Sequence, residues 1–380
     1  MDRKAHRMKC LILKVFCAVA VTCSLVALAG CETARRDARS AAQQEENAAL
    51  KRVLKLRWFD KLPTVGVRAV YVVRDSLYID TIEGILYRCD RVNGGVVWGS
   101  KIQYPLTGRP TRDGSGLLFG MCKGNLIVLD EESGAIIRRR RVHIGPLGTI
   151  FPTSEALAYA GTDASIHVIS PATGYDMITP ERIGANVLSI DSNSEDLLHM
   201  VIDPVYEQAY VAAIFSNTGR EAWRAPIGPK PLVDMGLYEG LVVVGNTDYY
   251  VRAIDSRAGR EKWRTPVGGA AIDKPKVSRD RVFVVTDDLR VHCLDANTGK
   301  SLWQETPGNC RRFLTADDHY AVAEKRGRRI VVIDAKTGKE IATSLPMQYD
   351  HIVADPADGI FCRITRDGHI VSVQTQPPKE

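Results

Sequence analysis

Seven short segments recur along the chain in almost constant register. They are DRVNGGVVW from Asp90, DEESGAIIR from Asp130, SPATGYDMI from Ser170, FSNTGREAW from Phe215, DSRAGREKW from Asp255, DANTGKSLW from Asp295 and DAKTGKEIA from Asp334. Each has a glycine four residues after its first position and a large or apolar residue, most often Trp, four residues later. The glycines (Gly94, Gly134, Gly174, Gly219, Gly259, Gly299 and Gly338) lie 40, 40, 45, 40, 40 and 39 residues apart. This periodicity constrains the fold more than composition does. Every unit must adopt one supersecondary structure and bury its apolar faces against its neighbours.

Within a unit the pattern predicts strands. In the sixth, residues 274–277, 281–286, 289–294 and 301–305 form short β-rich runs separated by Arg-Asp, Asp-Asp and Asn-Thr-Gly turns. The turn Asp bonds the backbone ahead of it, and the Gly supplies a positive φ. Four antiparallel strands in about 40 residues is the signature of a propeller blade. Middle strands covered on both faces need not alternate, which explains Ile330-Val331-Val332-Ile333 and Leu241-Val242-Val243-Val244. After Gly338 one more third-strand pattern, residues 367–373, ends without an outer strand. Trp58 stands 40 residues before Trp98, in an outer-strand pattern with no blade ahead of it. The N-terminal strand is therefore expected to complete the last blade. The fold expected is all-β: an eight-bladed propeller over residues 53–376, closed on itself with no free sheet edge, and a short tail at 377–380.

The chain has 51 Lys and Arg against 45 Asp and Glu, a formal charge of +6. Five of those bases lie in the first thirty residues; beyond them 46 basic and 44 acidic side chains remain. Nucleic acid is thereby excluded as an expected partner. The basic residues 1–14 followed by the apolar stretch 15–27 read as a signal peptide, residues 1–30, too short to span a bilayer. Leu28-Ala29-Gly30-Cys31 resembles the lipobox of bacterial lipoproteins. That resemblance implies acylation of Cys31, with palmitate among the acyl chains, and a firm membrane anchor. Glu32 follows, not the Asp that retains such proteins in the inner membrane, so the expected address is the periplasmic face of the outer membrane. Residues 31–52 are polar and Ala/Gln/Glu/Arg-rich, a partly helical tether. Cys89, Cys122, Cys293, Cys310 and Cys362 remain beyond the leader. Their spacing specifies no disulfide, and Cys89 and Cys293, inside strand patterns, read as buried thiols.

The segment 295–303, D-A-N-T-G-K-S-L-W, resembles the D-x-x-T-G-K-x-x-W repeat of pyrroloquinoline-quinone (PQQ) type propellers; residues 255–263 and 334–339 are similar. The resemblance implies that the Trp docks between adjacent blades. Trp58, Trp98, Trp223, Trp263 and Trp303 hold that position, whereas Arg138, Ile178 and Ala342 replace it. Two branches share the repeat. Quinoprotein dehydrogenases need a gripped quinone, a Ca²⁺, an Asp base and often a Cys-Cys pair; this chain has no Cys-Cys and no C-x-x-C-H. BamB-like lipoproteins are the non-enzymatic propeller subunit of the outer-membrane barrel-assembly machinery. That branch implies a protein scaffold, monomeric within a complex, with the barrel-assembly protein as partner and no cofactor, metal or catalytic residue. A general envelope lipoprotein that binds some other protein is the alternative, and a PQQ-dependent dehydrogenase a further one.

Arg138-Arg139-Arg140-Arg141 reads as edge protection of an outer strand, or as a dock for anionic lipid or an acidic partner. Seven histidines beyond the leader are scattered without metal-ligand spacing. Partner contact is expected in the irregular fourth unit, at Asp191, Glu195, Asp196, Leu197 and Leu198. There an acidic loop ends in an apolar pair expected to be exposed.

Overall fold

In a computed structural model, residues 48–378 are described apart from 64–65, 114, 147, 154–155, 183–185, 192–196, 205–207, 230, 232, 239 and 304–306. The leader, the lipobox with Cys31 and most of the tether lie outside the described residues; of the tether, 48–52 are described, at the start of a helical segment that runs over 48–53.

Eight antiparallel sheets follow one another, and seven have four strands. Blade 1 is Val67–Val73, Ser76–Thr81, Ile85–Asp90 and Val96–Lys101. Blade 2 runs from Thr111–Arg112 to Ile136–Arg141, blade 3 from Phe151–Pro152 to Glu181–Arg182, and blade 4 from Asn186–Asp191 to Glu221–Gly228. Blade 5 runs from Gly236–Tyr238 to Glu261–Pro266, and blade 7 from Cys310–Ala316 to Glu340–Thr343. Blade 6 has three strands, Lys276–Ser278, Arg281–Val285 and Val291–Asp295. Its expected fourth strand shrinks, among the described residues, to a single bridge between Leu294 and Ser301.

Blade 8 pairs His351–Ala354, Ile360–Ile364 and His369–Thr375 with the first strand of the chain, Leu54–Lys61. The register runs from Leu54 opposite Thr375 to Lys61 opposite His369. Beyond it, the Gln376 N–H donates to the Val53 carbonyl at 2.9 Å. The two ends of the propeller segment thus share one sheet, and the outer strand is supplied from across the seam.

There is no single core. Apolar clusters fill the gaps between neighbouring blades. Tyr78 and Leu86 of blade 1 meet Leu118 and Ile127 of blade 2. Phe283 of blade 6 stacks on Phe313 of blade 7 with ring centres 4.1 Å apart. The seam is packed in the same way on both flanks: Leu314 and Val322 meet Phe361, and Cys362 and Ile370 meet Leu77 and Ile79. Middle strands such as Ile330, Val331, Val332 and Ile333 are wholly buried because each face meets a different blade.

Candidate functional site

The repeated turn shows how the ring is held. Asp295 Oδ1 accepts the N–H groups of Asn297 at 3.0 Å and Thr298 at 2.7 Å, and the Thr298 hydroxyl at 2.8 Å. Gly299, at φ +71°, closes the turn by donating to the Asp295 carbonyl. The indole of Trp263 from the preceding blade lies on this glycine, and a Cβ there would stand 2.6 Å from the ring. The Trp263 Nε1–H donates to the Ala296 carbonyl at 2.8 Å.

All five tryptophans repeat this bond to the residue after the turn's first position. Trp58 donates to Arg91, Trp98 to Glu131, Trp223 to Ser256 and Trp303 to Ala335, at 2.9 to 3.2 Å. Arg138 keeps the bond without the indole: its Nη1 donates to the Pro171 carbonyl at 3.1 Å. Ile178 keeps the packing without the bond, resting its Cδ1 against Gly219. Ala342 faces blade 8, whose third strand ends at Thr375 and whose outer strand enters from the N-terminal end. No repeat turn exists there to dock on.

A bulge aims these residues. Ile254 pairs with Glu261 and Ala253 with Trp263, so Lys262 is the extra residue. The same shift occurs at Val97, Ile137, Ala222 and Ile341, and at Arg57 in the closing strand. Such a bulge breaks alternation and sharpens the twist, turning the Trp towards the next blade. Two consecutive residues ahead of the Trp then face outward.

In blade 5 that pair is Glu261 and Lys262. In blades 1 and 2 it is Val96 with Val97 and Ile136 with Ile137, all exposed. Leu56 and Phe59 on blade 8, and Tyr175 and Met177 on blade 3, are exposed as well, from 52 to 71%. Four consecutive blades thus carry an apolar outer rim. The signal was in the repeat itself, as VV and II where the other copies have DM, EA, EK, SL and EI, each with a polar first residue. Beside this rim, Arg138 and Arg140 are spent on the Pro171 and Ala172 carbonyls of blade 3, and Arg139 on the Ile102 carbonyl of blade 1.

The candidate contact in the fourth unit is corrected in part. Leu198 is 1% exposed, packed with Phe151, Ala158 and Val168 of blade 3, and Leu197 is half-buried. The extra residues of this unit lengthen its strands, to Leu197–Asp203, Ala209–Phe215 and Glu221–Gly228, so Leu198 falls inside a strand covered on both faces. Asp191 pairs with Lys274, ahead of blade 6, at 2.9 Å. Glu195 and Asp196 lie outside the described residues.

The five cysteines are free and buried, and burial pushes the Cys89 and Cys293 thiols up to about 12, far from reactive. His167 is held between Asp176 at 2.9 Å and Asp163 at 3.1 Å. His292 meets the Thr286 hydroxyl at 3.0 Å, and His199 the Ser256 carbonyl at 2.8 Å.

The family model described as outer membrane protein assembly factor BamB matches residues 207–370. In repeat and fold the chain is a BamB-like propeller. The crystal structure of BamB from Moraxella catarrhalis superposes with a TM-score of 0.65 at 14% identity, covering 85% of this chain and 100% of that one. A computationally designed protein, Ika8, gives a TM-score of 0.62 at 14% identity over 83% of this chain and 98% of its own. The C-terminal WD40 domain of Sif2 gives 0.64 at 10% identity over 86% and 99%. These neighbours share the fold and nothing more specific. No curated protein matches the chain in sequence.

Proposed function

We propose that this chain is a non-enzymatic envelope scaffold, anchored by a lipidated Cys31 to the periplasmic face of the outer membrane, that docks a protein of the barrel-assembly type. The observation that carries the reading is the apolar outer rim of blades 8, 1, 2 and 3. Adjacent exposed pairs on sheet edges are an association surface, because such edges otherwise recruit other strands. The match of residues 207–370 to the BamB family model supports the partner class. The likeness of the leader to a lipobox supports the address. The segment 191–198 is at most a secondary contact, since Leu198 is buried.

Affinity recovery of the full, lipidated chain from envelopes tests this. The intact chain should recover the barrel-assembly protein. A chain carrying Val97→Glu and Ile137→Glu, both on exposed bulge positions, should recover at least tenfold less, about 1.4 kcal/mol of lost contact. Equal recovery by both chains defeats the rim. Consistent recovery of other envelope proteins without the barrel-assembly protein defeats the partner.

A further inference from the structure

The first strands of blades 1, 6 and 7 carry the basic side chains Arg68, Lys276, Arg311 and Arg312 and no acidic one. A cavity of about 270 Å³ is walled by residues of blades 1, 6, 7 and 8 and by the segment leading into blade 2. Its charged lining is Arg109, Lys276 and Arg312, with no carboxylate. A second cavity, about 430 Å³, shares Val70, Arg312, Ile352 and Val353 with the first and adds Arg68, Arg311 and Arg328. Only Glu324 and Asp350 oppose them there.

Both carboxylates are committed. Glu324 lies 3.4 Å from Arg312 Nε and accepts the Tyr349 hydroxyl at 2.9 Å. Asp350 accepts the Arg366 N–H at 2.6 Å. Of the cations, Arg68 pairs with Asp80 at 2.8 Å and Arg328 donates to the Tyr349 carbonyl at 2.7 Å. Arg109 and Arg311 are exposed and make no ion pair or hydrogen bond among the described residues. Lys276 donates to the Phe313 carbonyl and is 3.5 Å from Asp273; burial presses its pKa down, which a counter-ion would relieve. A recess of one sign with low-dielectric walls concentrates the opposite ion.

We propose that these joined recesses are a binding site for a phosphate-bearing small molecule. A single phosphate concentrates roughly 1.5 to 2 negative charges in one compact group. That suits several cations around a small volume, and the guanidinium fork matches its oxygens. The walls supply apolar contact as well, through Val70, Leu314 and Ile352, for the body that carries the phosphate. Arg109, ahead of blade 2, lines the first recess, Arg311 of blade 7 lines the second, and Arg312 lines both. This inference does not depend on the scaffold reading.

Isothermal titration of the full chain with pyrophosphate is the test. One saturable site is expected, with a Kd below about 1 mM at low ionic strength, weakening as salt rises. Arg109→Glu and Arg311→Glu should each weaken it at least tenfold and leave the melting temperature of the unliganded chain unchanged. Arg141→Glu, on the outer rim, should bind as the parent does. The proposal is overturned by absence of saturable heat, by equal binding in the channel variants, or by citrate binding more tightly than pyrophosphate. Recovery of a protein partner by Arg109→Glu and Arg311→Glu should match the parent, which keeps this test separate from that of the rim.

Discussion

Blades 5 and 6, inside the segment matched by the BamB family model, and blades 2 and 3, outside it, solve one packing problem with different means. In blades 5 and 6, Trp263 and Trp303 combine an indole on the next blade's turn with a bond to its backbone carbonyl. In blades 2 and 3 those two parts come apart, Arg138 keeping the bond and Ile178 the packing. The outer faces differ too, charged at Glu261 and Lys262 but aliphatic at Val96, Val97, Ile136 and Ile137. Fold demands fall on the side chain that faces the next blade. The two bulge positions ahead of it are released from those demands: both are apolar in blades 1 and 2, whereas in blades 6 and 7 only the second, Leu302 or Ile341, is.

The largest effect should come from the seam that joins the halves. Deleting residues 54–61 removes the outer strand of blade 8 and leaves His369–Thr375 as a bare edge. Cooperative thermal unfolding and near-ultraviolet dichroism should both be lost. A deletion variant that still melts in one sharp transition at the parent's temperature would show that closure contributes nothing.

Next come the docking residues. Trp263→Ala should destabilise by about 3–5 kcal/mol, as for a large buried aromatic. Arg138→Ala forfeits mainly one hydrogen bond and should cost about 1 kcal/mol. Denaturant unfolding of both variants measures the gap. Equal costs would break the contrast between the halves, and a larger cost at Arg138 would invert it.

Blade number and the closing strand were legible because the repeat is a property of spacing, and Trp58 lies one period before Trp98. The bulge was not, since it arises from pairing between strands; without it the two residues ahead of each Trp look like alternating positions. The fourth unit misled for a related reason. Five extra residues look like an exposed loop, but part of the added length went into strands, and Leu198 was drawn into the gap beside blade 3. Of the cations around the recesses, Arg68 and Arg312 share a place in the repeat, 26 residues before Gly94 and Gly338, and the others do not. Arg109 lies 25 residues before its turn glycine and Lys276 lies 23 before its own, so only the closed ring gathers them.

The smallest effect distinguishes the turns themselves. Hydrogen bonds from the Thr298 hydroxyl and then its N–H hold Asp295 below the ordinary carboxylate value of 3.8. A carboxyl depressed on folding stabilises fully above its unfolded value, and that stabilisation fades as pH falls through the folded one. Thr298→Val should therefore cost about 0.5 kcal/mol at pH 6 and progressively less below pH 3.8. Blade 3 has Ser170 at the Asp position, where the hydroxyl accepts the Ala172 N–H at 3.2 Å and has no charge to lose. Thr173→Val should cost the same at both ends of that pH range. Parallel urea titrations at pH 6 and pH 3 read the difference. A cost at Thr298 as independent of pH as that at Thr173 would mean that the Asp295 charge adds nothing to the hold of its turn.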